Sequence, residues 1–143
     1  MVFSDEAAID RIGLGLLDRS LPKPEWTHAA HLAAAAWLLC RRPKFVPERD
    51  MPAIIRAYNE ATGVPNSDTR GYHETITFAS LRAVRAFLDA RDTDEPLHLA
   101  LNALIASPYG SKRWVLEHWS EGVIFTPEAR RRWVEPDIKP LPF

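Results

Sequence analysis

The sequence predicts an all-α fold: a single-domain helical bundle of four or five longer helices, with short C-terminal helices and an extended tail. Apolar residues recur at helical spacing nearly throughout, and the period-two alternation of β-branched residues that marks strands is almost absent. Prolines and turn formers separate most of the apolar runs. The chain has 143 residues, a length at which about 68–70% of the unfolded surface is buried on folding, so residues 1–143 are expected to form one domain around one core.

The helices follow in order. Ser4 is the expected N-cap of a first helix through about Arg19, carrying Ile9, Ile12, Leu14, Leu16 and Leu17. Leu21-Pro22-Lys23-Pro24 ends it, because proline disfavours helix in the residue before it. Thr27 caps a second helix through about Arg42, stopped by Pro43. Its run from Ala33 to Ala36 would admit close approach by another helix and marks it as the most buried. A third helix is expected from about Pro47 to Thr62, with Gly63 as its stop. The loop from Val64 to Gly71 is rich in turn formers, and a fourth helix runs from about Tyr72 to Arg91 with Ile76, Leu81, Val84, Phe87 and Leu88 as its stripe. Asp92-Thr93-Asp94-Glu95-Pro96 starts a fifth through about Ala106, placing acids where the helix dipole favours them. Ser111 caps a sixth segment through His118 or Trp119, and Thr126-Pro127-Glu128 opens a seventh through Val134. The proline density of residues 136–143 leaves an extended surface tail.

Composition narrows the partners. A net charge of -1 gives no electrostatic footprint for a phosphate backbone, and Arg130-Arg131-Arg132 is balanced by Glu128, Glu135 and Asp137, so nucleic acid is not an expected partner. The longest apolar run, Ala29 to Cys40, falls short of the roughly 20 residues that span a bilayer. The acidic start, Met1-Val2-Phe3-Ser4-Asp5-Glu6, lacks the basic and apolar regions of a secretory signal, so a cytoplasmic location without membrane association is expected. The single cysteine, Cys40, follows Leu38 and Leu39 and reads as a small buried hydrophobe.

Chemistry concentrates in two stretches. Trp26-Thr27-His28-Ala29-Ala30-His31 and Gly71-Tyr72-His73-Glu74-Thr75 hold three of the five histidines and a carboxylate at the starts of two helices. His28 and His31, at i and i+3, share one helix face, and the positive end of the dipole favours their neutral forms. His73 leads a face that continues through Thr77, Ser80 and Val84, which directs it inward. If the two helix starts are neighbours, His28, His31 and His73 converge as three nitrogen ligands for a divalent metal such as zinc or iron, with Glu74 as general base or outer-sphere orienter. The other readings are a metal-free polar pocket for a small molecule and histidines that only satisfy buried backbone groups. Trp26 would wall the pocket, Tyr58 and Asn59 would add hydrogen bonds, and Arg70 would hold an anionic ligand. His98 and His118 default to structural or surface roles.

The stretches Trp26-Thr27-His28-x-x-His31-Leu32, Gly71-Tyr72-His73-Glu74-Thr75-x-Thr77, Thr126-x-Glu128-Ala129-Arg130 and Pro136-Asp137-Ile138-Lys139-Pro140-Leu141-Pro142 resemble those of a family of small bacterial proteins. That resemblance implies no particular activity, cofactor or substrate. A looser likeness is to metal-binding helical bundles of the DinB type, which commonly use a histidine pair at i, i+4 late in the chain, whereas this pair stands at i, i+3 near its beginning. The expected function is a cytosolic small-molecule binding protein or enzyme with a His/Glu pocket between the starts of the second and fourth helices. The alternative is a non-enzymatic oligomeric interaction protein, pairing with itself as a homo-oligomer or with another subunit, whose histidines are structural.

Overall fold

Thr27 stops one helix-breaking segment and starts the chain's central helix, its Oγ1 accepting from the Ala30 N–H at 3.2 Å. The structure, a computed structural model, describes residues 2–143. It is all-helical: α1 (Glu6–Leu17), α2 (His28–Arg41), α3 (Pro47–Ala61), α4 (Glu74–Asp89), α5 (Leu97–Ala106), and the short α6 (Glu121–Ile124) and α7 (Pro127–Arg131). Single 3₁₀ turns at Lys23–Glu25 and Pro108–Gly110 and a longer one at Lys112–Glu117 join them. Among the described residues no helix is long and apolar enough to cross a membrane.

α2 lies at the centre, packed on α1, α4 and α5. Ala33, Ala34 and Ala36 are fully out of solvent, and Leu32, Ala35, Trp37 and Leu38 are buried with them, so the helix is apolar nearly all round. Its closest neighbour is α1, and Gly13 explains how. A Cβ at Gly13 would lie 2.2 Å from the Trp37 ring, so the indole occupies the space that any larger residue would need. The same indole donates through Nε1 to Asp10 of α1 at 3.0 Å.

Two hydrophobic clusters result. The larger joins α1 to α5, with Ile9, Leu16, Leu38, Tyr58, Val84, Leu101 and Leu104 among its least exposed members. The smaller gathers Trp114, Val115, Trp119 and Ile124 around Ala79 and Ala83 of α4. α4 therefore serves both, presenting Leu81 and Val84 to one cluster and Ala79 and Ala83 to the other.

Several boundaries differ from the sequence reading. Asp5, not Ser4, caps α1, its carboxylate accepting from the Ala8 N–H at 2.9 Å. Residues 92–95 form a turn outside α5, where Arg91 and Glu95 pair, so these acids do not sit in the helix's first turn. Residues 112–117 tighten into a 3₁₀ helix capped by Ser111, and residues 121–124 form a turn of α-helix that was not expected. Cys40 is exposed rather than buried, because α2 turns that position away from its neighbours near its end. The tail after Pro136 is extended as expected but well anchored. His118, buried, lies with Nδ1 at 3.2 Å from the carbonyl oxygens of both Lys139 and Pro140, and its own carbonyl accepts from the Ile138 N–H.

Candidate functional site

A cavity of about 690 Å³ opens between the two clusters. Its walls come from the first half of α2 (His28, His31, Leu32, Ala35), from Met51 and Ile55 of α3, from Ile76, Thr77, Ser80 and Leu81 of α4, and from residues 112–116, with Trp26, Thr27 and Phe125 completing it. The volume lies in the range of sites that enclose drug-sized molecules.

His31 is the most specifically held polar group on this wall. Its ring stacks on the Trp26 indole, centroids 3.8 Å apart and planes 29° from parallel. Its Nδ1 lies 2.6 Å from the Thr27 carbonyl oxygen, which also accepts the His31 backbone N–H at 2.9 Å. A carbonyl only accepts, so Nδ1 carries the proton. Desolvation has the largest effect on the ring and lowers its pKa to about 4, the hydrogen bond to Thr27 working the other way and the neighbouring His28 adding to the depression. Neutral His31 therefore carries its lone pair on Nε2. Tyr58 backs Trp26, with ring centroids 5.3 Å apart, and its fully buried hydroxyl donates to the Leu21 carbonyl at 2.7 Å.

His28 donates through Nε2 to the Tyr109 carbonyl at 2.9 Å. That bond fixes the Pro108–Gly110 turn against the start of α2, and the Tyr109 ring meets Trp114 of the cavity wall edge-on at 5.0 Å.

The second predicted stretch has a different task. His73 is the N-cap of α4 with extended backbone, so its side chain does not continue the helical face of Thr77 and Ser80. Its Nδ1 accepts from the Ile76 N–H at 3.1 Å and its Nε2 donates to the Ile124 carbonyl at 2.7 Å, which occupies both ring nitrogens. Burial lowers its pKa as well. Thr75, fully buried, lies 2.7 Å from the Ala129 carbonyl and 2.9 Å from that of Arg132, and accepts from the Val134 N–H at 3.2 Å. Arg130 donates to the Gly71 carbonyl at 3.0 Å. Gly71 has φ of +80°, and a Cβ there would meet the Pro65 carbonyl oxygen at 2.4 Å. The whole stretch clasps the start of α4 to α6 and α7.

The structure thus brings together Trp26, His28 and His31 at the cavity wall, with Tyr58 packed behind Trp26, and sets the remaining candidates apart. His73 and Glu74 do not line the cavity; the Glu74 carboxylate accepts from the Tyr72 hydroxyl at 2.7 Å, a phenol whose pKa burial and that carboxylate push up. Asn59 donates to Asn66 at 3.0 Å, inside the loop that precedes Gly71. Arg70 is exposed, and its backbone closes a turn with Ser67. Among the described residues no three His, Cys, Asp or Glu side chains are placed to hold a metal ion, because the third histidine of the predicted centre is spent on Ile76 and Ile124.

The chain matches no family model, no curated protein and no solved structure.

Thr77 and Ser80, on the face of α4 that the sequence directs inward, line the cavity although the sequence does not mark them as site residues, and so do Trp114, expected only as core, and Lys112, Arg113 and Phe125, which carry no sequence signal for the site. Nothing local links residues 112–125 to α2. Only the long-range packing of the smaller cluster brings them to the same cavity.

Proposed function

We propose that this chain is a cytosolic protein that binds a small, largely apolar molecule in the cavity between the starts of α2 and α4. The observation that carries this reading is the orientation of His31, clamped by Trp26 and Thr27 so that Nε2 is the ring's remaining hydrogen-bonding position on an otherwise mainly apolar wall. Sites for small molecules combine such walls with a few fixed polar groups. Thr77 and Ser80 supply two more.

Binding is favoured over catalysis by the same ring. A general base works best with a pKa near the working pH, and an imidazole near 4 is a weak one, better suited to accepting a ligand's hydrogen bond. The carboxylate expected to assist, Glu74, is engaged with Tyr72 away from the cavity wall.

The test uses N-phenyl-1-naphthylamine, a neutral fluorescent probe with two aromatic units and one N–H donor. The wild type should enhance and blue-shift its emission saturably. Ser80→Trp, which fills the cavity from α4, should abolish this while circular dichroism stays unchanged. Equal binding by a folded Ser80→Trp protein, or none by the wild type, rejects the cavity as the site.

A further inference from the structure

The charged residues around the cavity are of one sign. Although the chain carries 19 acidic residues and a net charge of -1, among the described residues no Asp or Glu lines the cavity, whereas Lys112 and Arg113 both do. They are consecutive residues of the Lys112–Glu117 turn, held at the wall by the burial of Trp114 and Val115 just beyond them. Among the described residues the one acid paired with either is Glu121, 3.8 Å from the Arg113 guanidinium, in a contact where the two side chains are 71% and 68% exposed. An exposed pair at that distance is weak and readily exchanged for another anion.

Resting on the cavity reading above, we infer that the ligand is an amphipathic organic anion: an apolar body of two rings or comparable bulk, an acidic group at one end and a hydrogen-bond donor along its length. The body lies against Trp26, Trp114 and Phe125, the donor meets Nε2 of His31, and the acidic group is read by Lys112 and Arg113. Phe125 is 56% exposed at the cavity wall, and a bound apolar body would cover part of that surface. A cationic ligand would have to approach two like charges with no carboxylate to receive it.

A matched pair of probes tests the charge. 8-Anilinonaphthalene-1-sulfonate has the skeleton of N-phenyl-1-naphthylamine plus one sulfonate, so the ratio of their affinities isolates the anion. In the double variant Lys112→Met, Arg113→Met that ratio should fall about five- to tenfold against the wild type, with binding of the neutral probe retained. In the wild type the anionic probe alone should weaken as NaCl rises from about 0.05 to about 0.5 M. A ratio that moves less than about threefold overturns the inference, as does salt-independent binding of the anion in the wild type, a measurement needing no variant. Failure of both probes to bind the wild type instead removes the cavity reading itself.

Discussion

The Trp26 indole and the His31 imidazole lie face to face at 3.8 Å, and this contact decides what His31 can do. The indole covers one face of the imidazole while Thr27 holds Nδ1, so the ring has one orientation and, at neutral pH, is the Nδ1–H neutral form. Replacing Trp26 by Ala should admit water to the ring and raise the His31 pKa from about 4 toward its ordinary value, read by NMR titration of the imidazole protons. Probe binding should fall about tenfold or more with the wall removed.

His31 and His73 should separate function from stability. His31→Ala removes no buried partner of another element, so stability should change by less than about 1 kcal/mol while binding of N-phenyl-1-naphthylamine is lost. His73→Ala strips an N-cap and leaves the Ile124 carbonyl unpaired, and should cost about 2–4 kcal/mol in urea denaturation. Folded His73→Ala protein should still bind the probe.

Gly13→Ala should destabilise against the ordinary trend. In most helix interiors that change gains about 1 kcal/mol. Here the added methyl would sit 2.2 Å from the Trp37 ring, and overpacking of this kind costs about 1–3 kcal/mol. Urea denaturation of Gly13→Ala, alone and with Trp37→Leu, checks this, the double variant recovering part of the loss.

Acid should weaken the fold through the same histidines. Both His31 and His73 have pKa values lowered in the folded state, so the unfolded chain binds more protons in the window below the ordinary value of 6.5. Stability from these groups is complete above that value and is lost as pH falls toward about 4, where His31 titrates in the folded protein. The melting temperature should drop across this window, and less steeply in His31→Ala.

Zinc should not bind stoichiometrically. Two histidines at the cavity lack the third ligand that His73 was expected to provide. Elemental analysis of untagged protein, loaded with zinc and desalted, should find well under one equivalent. A full equivalent that disappears in a His28→Ala, His31→Ala variant would restore the three-ligand reading with another partner.

The helices were legible because each apolar run is bounded by a proline or a capping residue, and Thr27, Ser111 and Thr126 cap where the sequence reading placed them. The site was legible only in part. Trp26, His28 and His31 fall within six residues at the start of α2 and could be read locally. His73 was misread because the fourth helix was expected from about Tyr72: inside the helix it points inward with Thr77, but as the N-cap it turns to Ile124. Lys112, Arg113 and Phe125 reach the cavity through the tertiary packing of Trp114, Trp119 and Ile124, for which the chain carries no short-range signal.

The central claim is that His31 offers a neutral Nε2 acceptor to a ligand in the cavity, and long-range ¹H–¹⁵N NMR of the imidazole at pH 7 tests it most directly, with His31→Ala assigning the signals. The account predicts the Nδ1–H tautomer, with the Nε2 resonance shifting as N-phenyl-1-naphthylamine is added. An imidazolium, the opposite tautomer, or an Nε2 resonance unmoved at saturating probe would contradict it.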